Sequence, residues 1–146
     1  QRRSALVIIS DGIDNALHGS AAGSRVPFDE LLRVVAGTPV LMYPILLPPP
    51  SRQGPSGASP AVVAAVPLAR RRMQQLADSS GGRLFTADSI LDLLPVYEAV
   101  AQELRSVYTL SYYPSNQNFD GKWRLLRVRV KNPAITLRTR EGYYAR

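Results

Sequence analysis

The stretch Ser4-Ala5-Leu6-Val7-Ile8-Ile9-Ser10-Asp11-Gly12-Ile13-Asp14-Asn15 decides the fold. Its five consecutive apolar residues, three of them β-branched, are followed at once by two carboxylates and a glycine. A continuous apolar run closed by turn residues is typical of a strand buried on both faces of a parallel sheet. The sequence therefore predicts a buried parallel strand here, with Asp11 at its carboxyl end.

The residues after this strand determine what kind of site it can carry. Ligands of open α/β sheets bind outside the carboxyl ends of the strands. Asp11 is therefore expected at the mouth of a crevice, beside a tight turn that Gly12 permits. A carboxylate at that place can be a ligand for a hard metal ion, a general base or a turn-forming residue. From the residues alone these alternatives stay open.

Length and composition set the class of protein. With 146 residues, of which 45% are hydrophobic, the chain can form one domain with a real core. No apolar run approaches the roughly 20 residues needed to cross a bilayer, and the first three residues lead into a strand rather than into a secretion signal. The absence of cysteine excludes disulfides, thiolate metal sites and cysteine nucleophiles.

The basic charge balance raises the question of polyanion binding. The formal net charge is +7 and the isoelectric point is near 10.2, a balance that can attract nucleic acids. The arginine triplet at residues 70–72 is expected on the solvated side of a helix. The best polyanion candidates are the outward-facing arginines of the C-terminal strands, Arg127, Arg129, Arg138 and Arg140. A solvated basic surface that protects strand edges is favoured over this role, and nucleic acid is not the favoured partner.

The first crossover is predicted from helical and strand periodicity. Apolar residues at helical spacing indicate an amphipathic helix over residues 28–36, ended by Gly37. The apolar run of residues 40–47 indicates a second parallel strand. Pro44 lies within that run, and we expect it to place the far half of the strand at an edge of the sheet or at an exit from it.

The middle of the chain is predicted to return to the sheet through a second helix. Residues 47–60 form a proline-rich loop expected over the ligand-binding end. The helix that begins at Pro60 is expected to kink or restart near Pro67. Its Met73 is predicted to fill the core. Residues 83–87 then form a short third strand, and the main helix follows.

The C-terminal residues alternate as strands do. Residues 107–113, 122–131 and 135–140 predict a three-stranded antiparallel meander, with a turn at Asn132-Pro133 and with one apolar and one basic face. The fold class is therefore α/β. A partial doubly wound (Rossmann-like), mostly parallel sheet with flanking helices is expected over residues 1–106, and an antiparallel extension is expected over residues 107–146.

Both ends of the chain resemble one family. ALVIISDGIDN is similar to the fourth strand of the von Willebrand factor type A domain, where a hydrophobic strand ends in Asp-Gly. The segments ELRSVYTLSYYP, DGKWRLLRVRVKNP and TLRTREGYYA resemble the tail of a bacterial branch of von Willebrand factor A-related proteins. The resemblance implies that residues 1–106 are the C-terminal half of such a domain.

The resemblance also implies a metal-dependent binding site. In that family the first strand supplies an Asp-x-Ser-x-Ser loop, a later loop supplies a Thr, and the strand resembled here adds the last Asp. A partner's carboxylate then completes the shell of a divalent cation. Asp11 matches the last of these acids, with Asp14 as a secondary oxygen donor and Gly12 and Asn15 as partner contacts. The Asp-x-Ser-x-Ser loop is absent from this sequence. Mg²⁺, Mn²⁺ or Ca²⁺ is therefore expected to bind weakly or not at all.

These features predict a protein-binding, adhesion-type module rather than an enzyme. The chain has no nucleophile elbow and no phosphate-cradling glycine loop. The resemblance implies an extracytoplasmic bacterial protein, periplasmic or secreted, with a protein partner. Because the first strands of the family's sheet have no counterpart here, we also expect self-association through an exposed hydrophobic edge. The alternative function is a polyanion-binding domain that uses the basic face of the C-terminal strands.

Overall fold

The computed structural model describes residues 4–14, 23–47 and 60–145. In chain order its elements are β1 (Ser4–Ser10), α1 (Phe28–Ala36), β2 (Val40–Leu46), α2 (Pro60–Ser80), β3 (Phe85–Thr86), a 3₁₀ turn (Ile90–Asp92), α3 (Leu93–Arg105), β4 (Trp123–Leu125) and β5 (Gly142–Tyr144). The α/β class is confirmed, and α1 has the predicted bounds. Asn15 and most of the proline-rich loop lie outside the described residues.

The main sheet has the strand order β1-β2-β3, and both pairs are parallel, as predicted for β1 and β2. Helices cover both of its faces. Tyr43 and Ile45 of β2 pack with α3 in one core cluster, while Leu46 of β2 packs with α1 and α2 in the other. Successive residues of a strand point to opposite faces, so β2 supplies both cores. Met73 of α2 is buried in the second cluster, as predicted.

The prediction that β1 is buried on both faces is wrong. Leu6, Val7 and Ile9 are 45%, 37% and 42% exposed. The strand pairs only with β2, so it forms an edge of the described sheet. The core cluster beneath α3 is built on β2 and β3 and leaves Val7 and Ile9 outside it. An apolar run therefore predicted a strand correctly but overestimated its burial.

The prediction that Pro44 places the far half of its strand at an edge or an exit is also wrong. β2 is the central strand, its Ile45 and Leu46 pair with both neighbours, and Pro44 is fully buried. The Ala87 N–H donates a hydrogen bond to the Leu46 carbonyl, so the backbone N–H and C=O groups of even-numbered residues of β2 point toward β3. The ladder to β3 begins only at Ile45, which pairs with Phe85. The N–H that proline lacks is therefore not required at position 44.

Helix α2 runs without interruption from Pro60 to Ser80 and contains Pro67, so it does not restart there. It ends in a Schellman turn, in which the Gly82 N–H donates to the Ala77 carbonyl (2.9 Å) and the Gly81 N–H donates to the Asp78 carbonyl (3.1 Å). Gly81 has a φ of +82°. Within the described residues, no helix is long and apolar enough to cross a membrane.

The C-terminal segment forms a two-stranded antiparallel sheet, not a three-stranded meander. β4 pairs with β5 from Trp123↔Tyr144 to Leu125↔Gly142. Continued toward the middle of the segment, the same register brings residues 132 and 135 opposite each other. They form a turn in which the Ile135 N–H donates to the Asn132 carbonyl (3.2 Å). Residues 107–113 belong to neither sheet. We call residues 121–145 the C-terminal hairpin.

Candidate functional site at the carboxyl end of the sheet

Asp11 lies directly after the last residue of β1 and is exposed. Its Oδ1 accepts a hydrogen bond from the Ile13 N–H (3.1 Å), while the Ser10 hydroxyl oxygen accepts one from the Gly12 N–H (3.0 Å). These contacts form two successive side-chain turns that close the strand. The second carboxylate oxygen of Asp11 is left to face solvent or a ligand.

Gly12 fixes the path of this turn. Its φ is +70°, a conformation that L side chains rarely adopt. A Cβ at this position would also lie 3.1 Å from Cβ of Ala69 and 3.3 Å from Met73, both on α2. The turn is therefore held closely against α2, and it presents Asp11 from a position with little freedom to move.

Asp14 connects the turn to α2 and to the segment that precedes α1. Its Oδ1 accepts a hydrogen bond from the Ser24 N–H (3.1 Å), and its Oδ2 lies 3.9 Å from Nη1 of Arg72 on α2. The Arg72 guanidinium also stacks over the ring of Phe28, 5.0 Å from its centroid. Asp14, Arg72 and Phe28 therefore join β1, α2 and α1 at the rim of the sheet. We call Ser10, Asp11, Gly12, Asp14 and Arg72 the rim.

Arg72 is the rim residue that sequence reasoning missed. The expectation placed the arginine triplet on the solvated side of its helix, and Arg70 and Arg71 are indeed exposed. Arg72, however, is half-buried. It follows Ala69 by three residues and precedes Leu76 by four, so helical spacing puts it on the buried face. That spacing was the available signal.

Within the described residues, the rim supplies few free oxygen ligands for a divalent cation. Mg²⁺ requires near-octahedral oxygen ligation, usually with carboxylates free to bind it. In the part of the chain that the structure describes, no three acidic or histidine side chains converge. Asp14 already lies beside a guanidinium, and one oxygen of Asp11 is used in its own turn. A cation here would compete with Arg72 for the same carboxylate.

The proposed polyanion face is divided by the tertiary structure. Arg127 and Arg129 are exposed on the C-terminal hairpin. Arg138 is 3.1 Å from Oε1 of Glu103 on α3, and Arg140 donates to the Thr38 carbonyl (3.2 Å) after α1. Two of the four predicted arginines therefore attach the hairpin to the α/β unit rather than facing a ligand.

Glu103 is the centre of that attachment. Its side chain, 18% exposed, pairs with Arg138 and also with Arg83, whose Nη1 lies 3.5 Å from Oε2. Beneath them, burial raises the pKa of Tyr43, and the charge of Glu103 acts in the same direction. Arg83 also stacks on Phe85 at 4.8 Å. This arrangement is a structural junction of the sheet, α3 and the hairpin, because Glu103 pairs with an arginine from β3's side and with one from the hairpin.

A cleft of about 220 Å³ lies between the end of α2 and the C-terminal hairpin. Asp78, Gly81, Thr139 and Glu141 are among the residues that line it, together with Arg138. Apart from Arg138, it contains none of the predicted site residues. The cleft and the rim are therefore separate features of the molecule.

Comparisons of the chain with protein-family models, with curated proteins and with solved structures found no match.

Proposed function

We propose that this chain is a protein-binding module related to von Willebrand factor type A domains, and that its partner docks on the rim around Asp11. In this proposal residues 1–106 are the C-terminal half of the domain and residues 107–146 are an extension packed on it. The module acts by binding and not by catalysis. Its partner is an extracytoplasmic protein, as the bacterial branch of the family suggests.

The observation that carries the proposal is the exposed carboxylate of Asp11 at the carboxyl end of a parallel strand. This is where ligands of open α/β sheets bind. The turn is held by Gly12 against α2, so the carboxylate is presented without a large ordering cost. Asn15, which follows closely in sequence but lies outside the described residues, is proposed as a further contact with the partner.

The proposed docking does not depend on a tightly held metal ion. We expect Mg²⁺ and Mn²⁺ to bind this chain with dissociation constants weaker than about 1 mM, because one free carboxylate and waters form a poor shell. Isothermal titration of wild type and Asp11→Ala tests this. A sub-millimolar affinity that disappears in Asp11→Ala would show that the rim holds a cation after all.

The proposal is tested by capturing the partner and then by measuring its affinity with purified components. A photo-crosslinking residue introduced at Ile13, beside the rim, identifies candidates in bacterial envelope extracts. Asp11→Asn should weaken binding of the purified partner by about tenfold or more. Asp29→Asn, which removes an exposed carboxylate on α1, is the matched control and should leave the affinity unchanged. Equal affinities for all three proteins would rule out docking at Asp11.

The alternative function, polyanion binding by the C-terminal hairpin, has one favourable observation. Arg127 and Arg129 are exposed, and Lys131 follows them with the same spacing. The two functions separate by salt dependence, because phosphate binding falls steeply with salt. Binding of a fluorescent oligonucleotide that is lost in Arg127→Gln/Arg129→Gln, and that weakens strongly with added salt, would favour the polyanion function.

A further inference from the structure

The tip of the C-terminal hairpin, residues 127–139, is exposed along its whole length. The register of β4 and β5 continues past Leu125 and Gly142 and brings Val130 opposite Leu137. Side chains alternate between the two faces of a strand. One face of the tip therefore carries four apolar side chains, which are 36% to 53% exposed: Val128, Val130, Ile135 and Leu137.

The opposite face of the tip is cationic. Arg127, Arg129 and Lys131 alternate with the two valines of the same strand, so they point away from the apolar face. None of the three forms an ion pair with another described residue. Residues 121–140 contain seven basic residues and no acidic one. The tip therefore combines an exposed apolar face with three cations that lack a counter-charge in the described part of the chain.

The C-terminal hairpin is attached to the end of the main sheet that lies opposite the rim. Thr38, whose carbonyl accepts a hydrogen bond from Arg140, precedes β2. Gly81, at which a Cβ would lie 2.9 Å from the Arg140 backbone nitrogen, precedes β3. Both strands run parallel to β1, and the rim follows the carboxyl end of β1. The hairpin therefore contacts the amino ends of β2 and β3, and neither attachment involves β1.

We propose that the tip of the C-terminal hairpin binds the surface of an anionic phospholipid membrane. Its apolar face enters the boundary between headgroups and acyl chains, and its cations lie against the lipid phosphates. Segments that combine an apolar face with lysine and arginine bind membrane interfaces in this way. The two strands of the tip are only about 5 Å apart. Long basic side chains can therefore reach past the narrow ribbon to the headgroups.

Charge complementarity and apolar exposure together favour a lipid surface over the other occupants. A nucleic acid would pair its phosphates with the three cations but would leave Val130 and Leu137 in water. An uncharged apolar surface of another protein would cover those side chains but would leave the cations without a counter-charge. An anionic bilayer offers phosphates and an apolar layer within about 10 Å of each other. It therefore matches both faces of the tip.

The test is flotation of the full chain with unilamellar vesicles, made either of phosphatidylcholine alone or of phosphatidylcholine and phosphatidylglycerol in equal parts. Wild type should bind the anionic vesicles at least about tenfold more tightly, and added salt should weaken this binding. Because the chain has no cysteine, Ala134→Cys in the turn of the tip can carry a single polarity-sensitive fluorophore. Its emission should shift to shorter wavelength when anionic vesicles are added.

Two double variants test the two faces of the tip separately. Val130→Ser/Leu137→Ser keeps the charge and should weaken binding to anionic vesicles by about tenfold, because it removes apolar surface that enters the bilayer. Arg127→Gln/Arg129→Gln keeps the apolar face and should weaken binding by a similar factor while reducing its salt dependence. Circular dichroism checks the fold of both variants.

Val34→Ser/Val63→Ser is the matched control, since it removes valines that are 59% and 60% exposed on α1 and α2. It should leave vesicle binding unchanged, and an equal loss in this control would overturn the proposal. So would equal binding of wild type to both kinds of vesicle. Anionic binding that survives Val130→Ser/Leu137→Ser would assign the cations to a soluble polyanion such as nucleic acid instead. Asp11→Asn should leave vesicle binding unchanged, so this test is independent of partner docking at the rim.

Discussion

The hydroxyl of Ser80 shows how one buried polar atom can hold two elements together. Ser80 is 1% exposed. Its hydroxyl donates to the Ala77 carbonyl (2.8 Å) and accepts the N–H groups of Met42 (2.9 Å) and Gly82 (3.2 Å). β3 is too short to reach Met42. The serine therefore satisfies a backbone donor of the central strand that the sheet leaves without a carbonyl partner.

Ser80→Ala should lower the free energy of unfolding by about 1–3 kcal/mol, because the Met42 N–H would be left without its acceptor. Urea unfolding followed by circular dichroism measures the change. Ser106→Ala removes an exposed hydroxyl at the end of α3 and should change stability by less than about 0.5 kcal/mol. Equal effects of the two substitutions would contradict the role assigned to Ser80.

At the scale of elements, β1 and β2 have similar apolar sequences but different environments. Ile9 and Ile45 are Cα partners in the parallel register. Ile9 is exposed at the edge, whereas Ile45 is 0% exposed in the core beneath α3. The difference arises from position in the sheet, since the central strand has neighbours on both sides and β1 has one in the described sheet.

This contrast predicts that replacing isoleucine by alanine lowers the free energy of unfolding by different amounts in the two strands. Ile45→Ala should destabilise the protein by about 2–5 kcal/mol, because it leaves a cavity in a closed core. Ile9→Ala should cost about 1 kcal/mol or less, since much of its side chain remains in water in both states. Chemical unfolding of the two variants measures the difference. If Ile9→Ala were as costly as Ile45→Ala, the edge would have to be covered.

The element-scale predictions succeeded where local chemistry is decisive. Pro27, the acidic first turn and Gly37 bound α1 as expected. Residues 122–131 alternate in sequence, yet only the base of the hairpin, β4 and β5, forms a sheet. Val130 and Leu137, which lie on the predicted apolar face, are exposed. Alternation predicts a pleated strand, but burial requires a surface opposite it, and that surface is a tertiary property.

At the scale of the molecule, Glu103 connects the C-terminal hairpin to the α/β unit. It pairs with Arg83 within that unit and with Arg138 on the hairpin. Arg140 adds a second attachment at Thr38, after α1. Because these contacts are partly shielded from water, they should hold the hairpin more firmly than an exposed ion pair would.

Glu103→Gln should loosen the hairpin while leaving the main sheet folded, because both arginines lose their counter-charge. Amide hydrogen exchange should increase several-fold at residues 136–145, which corresponds to about 1 kcal/mol of local stability. Glu98→Gln, a change at an exposed position of α3, serves as the control. Unchanged exchange at residues 136–145 in Glu103→Gln would mean that the ion pairs contribute nothing to docking.

The sequence by itself determined the local features of this protein: the parallel strands β1 and β2, helix α1 and the position of Asp11 after its strand. Each depends on residues close together in the chain. Only the tertiary structure decided that Leu6, Val7 and Ile9 are exposed, that Pro44 is central, that Arg72 turns toward Asp14 and that Arg138 pairs with Glu103. These are relations between distant segments, and short-range periodicity and turn chemistry contain no information about which surfaces will meet.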